Sequence, residues 1–233
     1  MLNDFSGKRI VVVSPHSDDG VLSLGAAMAS WARRGAQVEL LTVFALDPSS
    51  DAPAGGWDGR AGFSTEGEAA VGRRAEDTAA CAILGATPGW LSFGSVDYER
   101  HGDQAAVRDA VAAAADGVDA LLLPGFPLSH PDHEWLGRAL VGSRMGCRRL
   151  GLYVEQPYGR RTTGEPWLPP WAEEALGAQP VFGAVPAGVR DRAAKWRAVR
   201  EYRTQLPLLG MTQSLRRRPS TLVFGERVAW IEP

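Results

Sequence analysis

Residues 9–20 read RIVVVSPHSDDG and decide the fold. The run from 9 to 14 is apolar without alternation after its first residue, as in a central strand buried on both faces. A polar turn follows directly, and then a helical stretch at 21–34 ends before Gly35, a residue suited to a helix C-terminus. A strand, a turn and a helix in this order begin a parallel sheet that helices cover on both sides.

The same alternation of strands and helices continues to about residue 155. Further strands are predicted at 37–44, 90–93, 118–123 and 150–154. Further helices are predicted at 66–84, where Thr65 and Glu68 have the spacing of a capping box, at 104–115 and at about 131–144. We therefore expect an α/β fold of three layers with a Rossmann-like, mostly parallel sheet.

Residues 156–233 are less regular and predict an irregular C-terminal extension of the same domain, which spans residues 1–233. Prolines and tryptophans at 160–172 indicate an ordered lid. A last helix is predicted at about 187–203, and strands at 221–224 and 227–231 are expected to form a hairpin around Gly225. The glycine-rich turn at 51–62 is interpreted as a mobile segment suited to gating a site.

Composition excludes several classes of protein. The 233 residues carry a formal net charge of -2, so no overall field favours nucleic acid or an anionic membrane. The two cysteines cannot form a disulfide framework, and no apolar run has the length of a membrane span. Neither a P-loop nor the glycine pattern of dinucleotide binders is present. We expect a cytoplasmic, bacterial protein that acts on a small molecule.

Three of the four histidines occupy two short clusters. The first, PHSDDG at 15–20, follows the first strand, and the second, SHPDHE at 129–134, follows the fourth strand and opens the fourth helix. Ligands bind at the carboxyl ends of parallel strands, and in the strand order 3-2-1-4 the first and fourth strands are neighbours. The two clusters are therefore expected to converge on one site.

The converging residues have the chemistry of a metal site. His16, Asp19 and His133 provide two imidazoles and a carboxylate, which suit a catalytic zinc ion with three protein ligands and one open position. The same set also fits Fe²⁺, so the donors alone leave the metal open.

The other polar residues of the clusters predict acid–base chemistry beside the metal. Asp18 is placed to accept a proton from a water that the metal activates. His130, paired with Asp132, is expected opposite, as a proton donor or as a group that stabilises an oxyanion.

Both motifs resemble those of the LmbE-like, or PIG-L-type, zinc N-deacetylases. That family has Pro-His-x-Asp-Asp after its first strand and His-x-Asp-His after a later one. The resemblance extends to Arg73-x-x-Glu76, to Asp97 and to residues 195–205, and it covers most of residues 9–205. It implies hydrolysis of an N-acetyl group on an amino sugar or a sugar-containing metabolite.

The resemblance also implies a role for each motif residue. His16, Asp19 and His133 would bind zinc, Asp18 would be the general base, and His130 would steady the tetrahedral intermediate. Arg73 and Asp97 would contact the substrate. The family motif commonly continues with Glu where this chain has Gly20, and the absence of that side chain is expected either to loosen the site or to make room for a different substrate.

Other readings of the same residues remain open at this point. Aspartates at a strand-to-helix turn often serve only as helix caps, and Arg73 could pair locally with Glu76 or Asp77. Lys195 and Gln205 are interpreted as structural supports. The alternatives in function are hydrolysis of another amide or of an ester, and a metabolite-binding protein without turnover. The substrate and the oligomeric state are not determined by the sequence.

Overall fold

The computed structural model describes residues 5–98, 103–158, 166–212 and 225–231. Seven strands form one sheet in the order β3-β2-β1-β4-β5-β7-β6. The strands are β1 Arg9–Ser14, β2 Gln37–Thr42, β3 Thr87–Trp90, β4 Ala120–Phe126, β5 Leu150–Val154, β6 Gly183–Ala184 and β7 Arg227–Ile231. The helices are α1 Asp19–Arg33, α2 Gly56–Ala61, α3 Glu66–Leu84, α4 Gln104–Ala114, α5 Pro131–Leu140, α6 Pro170–Leu176 and α7 Val189–Val199.

Helices cover both faces of the sheet, as predicted. Strand β1 shows this directly, because Ile10 and Val12 pack in one core with α1, α3 and α7, whereas Val11 and Val13 pack in the other with α4, α5 and α6. The first five strands are parallel, and β7 pairs antiparallel with β5 and with β6. The expected three-layer, mostly parallel α/β fold is confirmed.

The residues predicted to begin and end α3 make the expected capping interactions. Thr65 accepts a hydrogen bond from the Glu68 backbone N–H, and the Glu68 side chain accepts one from the Thr65 N–H. The helix ends at Gly85, whose φ of 72° is a conformation that glycine adopts without steric cost.

Some predicted boundaries are wrong, and local chemistry explains two of them. The third strand lies at Thr87–Trp90 instead of 90–93, and it tolerates Pro88 because it is at the edge of the sheet. Helix α5 ends at Leu140 instead of about 144, shortly before Gly142 with its φ of 81°. Strand β4 continues to Phe126, and α7 is shorter than predicted at both ends.

In the C-terminal part, the strand predicted at 227–231 is confirmed as β7. Strand β7 joins the main sheet beside β5, where its hydrogen bonds extend the central layer. The predicted strand at 221–224 and the first part of the predicted lid, 160–165, lie outside the described residues. The turn at 51–62, interpreted as mobile, contains helix α2. None of the helices in the described ranges combines the length and the apolar composition that a membrane span requires.

Candidate active site

The two histidine clusters lie side by side at the carboxyl edge of the sheet. Strands β1 and β4 are parallel neighbours, with Val12 opposite Leu122, so the turns that leave them project in the same direction. The first turn leads into α1 and the second into α5. Both turns line a cavity of about 220 Å³.

Three donor atoms at this edge of the sheet form a compact triangle, in which His16 and Asp19 line the cavity and His133 is fully buried next to them. His16 Nδ1 lies 3.1 Å from Asp19 Oδ2, His133 Nε2 lies 3.1 Å from the same oxygen, and the two ring nitrogens are 3.3 Å apart. Ligands about 2.0–2.1 Å from a tetrahedral zinc ion are about 3.3–3.4 Å from one another. The triangle therefore has nearly the dimensions of one face of a tetrahedral metal site.

Each imidazole of the triangle is oriented by a second carboxylate. His16 Nε2 lies 2.7 Å from Asp132 Oδ2 in a hydrogen bond, which favours a proton on Nε2 and a free lone pair on Nδ1. His133 Nδ1 makes a 2.6 Å charged contact with Glu155 Oε1, although its angle departs from a straight hydrogen bond. Carboxylates in these positions are the usual outer partners of metal-binding histidines.

The electrostatics of the triangle also fit a bound cation. Burial alone would lower the pKa of His16 and His133, but the surrounding carboxylates raise both, most strongly that of His133. Burial likewise would raise the pKa of Asp19, yet the two imidazoles hold it well below its usual value. Buried carboxylates at this density need a compensating positive charge, which a divalent ion supplies.

His130 forms a second group of three possible donors with His16 and His133. One ring nitrogen from each of the three residues lies within 4.8 Å of the other two. However, His130 is the N-cap of α5, and its Nδ1 accepts a hydrogen bond from the Asp132 backbone N–H at 3.2 Å. That nitrogen therefore carries no proton, and the neutral ring has its proton on Nε2. Asp19 is the better third donor because it completes the tighter triangle.

The predicted pairing of His130 with Asp132 is present, but its hydrogen bond comes from the Asp132 backbone N–H, and the two side chains make only a longer electrostatic contact. His130 Nδ1 is 3.7 Å from Asp132 Oδ2, beyond hydrogen-bond distance, and that oxygen is occupied by His16. Burial and the neighbouring histidines lower the pKa of His130 to about 4. His130 is consequently neutral near pH 7, which suits a hydrogen-bond donor to an oxyanion and not a proton donor.

Asp18 is held in an unusual conformation at the start of α1. Its φ is 101°, a region that residues other than glycine rarely adopt, and such strain typically costs about 1–3 kcal/mol. Its side chain lines the cavity, and no described residue forms a hydrogen bond or ion pair with it. Burial, and secondarily the charge of Asp19, raise the pKa of Asp18 well above its usual value.

Residues 11–142 match the sequence profile of a known family, PIG-L, described as GlcNAc-PI de-N-acetylase. The chain belongs to the PIG-L family. The resemblance of its two motifs is thereby confirmed, and with it the enzyme class, a de-N-acetylase. No curated protein sequence matches the chain at a significant level.

Solved structures extend the PIG-L comparison over almost the whole chain. The A40926 pseudoaglycone deacetylase Dbv21 is 25% identical, with a TM-score of 0.70 and 96% of each chain covered. A triple mutant of a deacetylase of the teicoplanin biosynthetic pathway, Orf2*T, is also 25% identical, with a TM-score of 0.74 and coverage of 95% and 97%. The N,N′-diacetylchitobiose deacetylase from Pyrococcus horikoshii, at 16% identity and a TM-score of 0.60, shares the fold over 92% and 75% of the chains.

Two further residues of the PIG-L resemblance, Arg73 and Asp97, line the same cavity. Arg73 forms an ion pair with the buried Asp58, not with Glu76 or Asp77. Asp97 accepts a hydrogen bond from the backbone N–H of Trp57 at 2.9 Å. Both side chains therefore have partners within the protein, and contact with the substrate stays a prediction for each.

Gly20, which replaces the glutamate common in the PIG-L motif, does not enlarge the cavity. A Cβ atom at this position would lie 2.5 Å from Leu40 Cδ1 and 3.3 Å from the Ser14 side chain, so it would point into the core. The Gly20 N–H donates to Ser14 Oγ at 2.8 Å, and Ser14 Oγ donates to the His16 carbonyl at 2.5 Å. The expectation that this glycine makes room for a substrate is therefore wrong.

Sequence reasoning missed several residues around the site. Glu155 follows β5 directly, so the rule that identified the histidine clusters at strand ends could have found it. Asp77 is fully buried in α3 and accepts hydrogen bonds from Ser17, Thr42, Trp90 and Tyr202, which tie the first turn to the sheet. Because Asp77 lies within a helix and not at a strand end, no comparable sequence pattern could have identified it. Of the two expected supports, Lys195 is buried against Glu226, whereas Gln205 lines the cavity.

Proposed function

We propose that this enzyme is zinc-dependent and removes the N-acetyl group from an amino sugar of a glycosylated metabolite. The observation that carries the proposal is the donor triangle of His16, Asp19 and His133, two of whose members line the same cavity as the Asp18 carboxylate, which has no hydrogen-bond partner among the described residues. The family gives the reaction, and the two solved structures at 25% identity, deacetylases of an antibiotic pseudoaglycone and of an antibiotic pathway, support the substrate class.

Zinc is the metal we propose, because two imidazoles and one carboxylate at near-tetrahedral spacing suit it. Fe²⁺ remains the alternative for this donor set. When bound, the ion supplies Lewis acidity, which polarises the amide carbonyl and lowers the pKa of a water to about 7.

Asp18 acts as the general base in this proposal. Its carboxylate takes a proton from the attacking water as the new C–O bond forms at the amide carbon. The C–N bond then breaks, and the proton passes from Asp18 to the leaving nitrogen, so that the products are acetate and a free amine. The raised pKa of Asp18 fits a group that must both accept and return a proton.

His130 stabilises the oxyanion as a neutral donor. Its Nδ1 is occupied by the Asp132 N–H, so the proton on Nε2 is available to the developing negative charge. Asp132 and Glu155 take no proton in the reaction and instead fix the rings of His16 and His133.

The proposal is tested by acetate release together with metal analysis on the same samples. The substrate panel contains N-acetylglucosamine, an aryl N-acetylglucosaminide and an N-acetylglucosaminyl glycopeptide, with an N-acetyl amino acid and an aryl acetate ester as controls. Protein stripped of metal should be inactive and recover with one equivalent of zinc. Turnover of the amino acid or the ester alone would assign a different hydrolase activity to the site.

A further inference from the structure

One wall of the cavity is formed by Trp57, which the catalytic proposal does not use. Its ring is only partly buried and belongs to neither of the two large cores. It lies in α2, within a segment that contains Gly55, Gly56 and Gly59. A tryptophan on such a segment keeps one orientation only if specific contacts hold it.

Three polar contacts hold Trp57 in place. Its backbone N–H donates to Asp97 Oδ2 at 2.9 Å, and its indole Nε1–H donates to Gln205 Oε1, also at 2.9 Å. The Arg60 guanidinium lies 4.9 Å from the ring centroid, over one face of the indole. Gly55 permits the first contact, because a Cβ there would lie 2.8 Å from Asp97 Cγ.

The Gln205 amide is itself oriented by a chain of hydrogen bonds. Glu76 accepts from the Thr204 N–H and from Thr204 Oγ1, both at 2.8 Å. Because its hydroxyl proton is directed at Glu76, Thr204 Oγ1 accepts from Gln205 Nε2, at 2.8 Å. This leaves Gln205 Oε1 as the acceptor for the indole N–H, so the direction of every hydrogen bond is fixed.

Arg73 and Glu76 of the Arg73-x-x-Glu76 motif support the same wall at two points. The two residues are three apart in α3 and therefore lie on the same face of the helix. Arg73 binds Asp58, the residue next to Trp57, and Tyr98 donates a hydrogen bond to the same carboxylate at 2.6 Å. Glu76 holds Thr204, the residue next to Gln205.

From these contacts we propose that Trp57 is a specificity-determining residue, whose indole packs against the sugar ring of the substrate, and that Gln205 is its positioning residue. This inference rests on the proposed function for its substrate class. A pyranose has an apolar C–H face and a polar edge, which match a flat indole bordered by the polar groups of Gln205 and Asp97. Holding the ring in place before binding removes an entropic cost that the substrate would otherwise meet.

The test compares Trp57→Leu, Trp57→Phe, Gln205→Leu and the double variant Trp57→Phe/Gln205→Leu at equal zinc content. The probes are N-acetylglucosamine and its phenyl β-glycoside. Trp57→Leu should raise KM about tenfold with kcat nearly unchanged, and Trp57→Phe should raise it less. Because Gln205 acts through the indole N–H, Gln205→Leu should raise KM in the parent enzyme and have no further effect beside Trp57→Phe.

Trp171→Leu is the matched control, since Trp171 also lies beneath a guanidinium, that of Arg138 at 4.7 Å, but does not line the cavity. It should leave KM unchanged. If Trp57→Leu lowers only thermal stability and not KM, Trp57 merely anchors its loop and the proposal is overturned. Additive effects of Trp57→Phe and Gln205→Leu would remove Gln205 as the positioning residue.

A binding measurement separates this inference from the proposed function. The indole N–H resonance of Trp57, identified by its loss in Trp57→Phe, should shift when N-acetylglucosamine is added to the zinc-loaded protein. A shift without acetate release from any sugar would support sugar binding at Trp57 and contradict the proposed hydrolysis of N-acetyl amino sugars. Acetate release without a shift, together with an unchanged KM in Trp57→Leu, would contradict sugar binding at Trp57 and leave the proposed hydrolysis unaffected.

Discussion

The Asp132 carboxylate pairs with His16 at 2.7 Å, although the two residues are 116 positions apart and His130 is only two positions away. The other oxygen of Asp132 accepts the Val96 N–H at 2.9 Å. Asp132 thus joins the turn after β4 to His16, a proposed metal ligand in the turn after β1. Its role is one of positioning, through His16.

This relationship predicts that Asp132→Asn weakens metal binding. An asparagine has one acceptor oxygen where the site needs two, so either the His16 or the Val96 contact is lost. Loss of such an outer partner typically costs about 10- to 100-fold in metal affinity. Zinc competition titrations should show this loss, whereas His133→Ala should lose the ion outright and His130→Asn should keep it. Normal zinc affinity with reduced turnover in Asp132→Asn would instead show that Asp132, like His130, acts in the reaction and does not support the metal.

The adjacent residues Asp18 and Asp19 should respond differently to the same change. Asp18→Asn keeps the size and shape of the side chain, but it cannot accept a proton, so turnover should fall by about 10² to 10⁴ with the metal retained. Asp19→Asn removes a charged ligand and should lose metal first, with activity partly restored by excess zinc. Acetate release and bound metal must be measured on the same dialysed samples. Metal loss in Asp18→Asn with retention in Asp19→Asn would reverse the assignment.

In metal-free protein, His130 should titrate near pH 4 with its proton on Nε2 while neutral. Its folded pKa is below the ordinary value of 6.5, so the unfolded chain binds more protons between these values. This contribution to stability is present above about pH 6.5 and is lost as the pH falls toward 4. Nitrogen-detected NMR of the imidazole tests the tautomer and the pKa together.

His130→Asn is the control for that measurement, because asparagine can also cap α5. It should remove the acid-dependent loss of stability that His130 causes. His130→Ala should be less stable than His130→Asn by about 1 kcal/mol at all pH values, since it also loses the cap. A His130 resonance that titrates near 6.5 would contradict the neutral-donor role.

Gly20→Ala should destabilise the protein through contact with Leu40, not by altering the cavity. Overpacking a buried position usually costs about 1–3 kcal/mol, which corresponds to a fall of several degrees in Tm for a chain of this size. Leu40→Val removes the Cδ1 atom that would collide, so the double variant should recover part of the loss. An unchanged Tm together with an altered KM would show that position 20 faces the substrate after all.

The sequence predicted the sheet and the two clusters because both depend on local patterns. Buried strands without alternation, helix caps and polar turns at strand ends are visible in a few consecutive residues. The pairing of Asp132 with His16 was not predicted, because the short spacing between His130 and Asp132 suggests a local pair. In the structure, the start of α5 directs the Asp132 carboxylate toward the turn after β1. The hydrogen bonds that hold Trp57 were not predicted for a similar reason, since they involve Asp97 and Gln205, which are 40 and 148 positions away.

The two edges of the sheet have a consequence for how copies of the chain can meet. Strand β3 carries Pro88, which has no N–H to offer to an added strand, and β6 is only two residues long. An incoming strand would therefore gain few backbone hydrogen bonds at either end. Short or proline-containing edges are a known protection against strand addition and aggregation. The sheet thus resists association with other copies through its edge strands, even though its central strands consist of strongly β-forming residues.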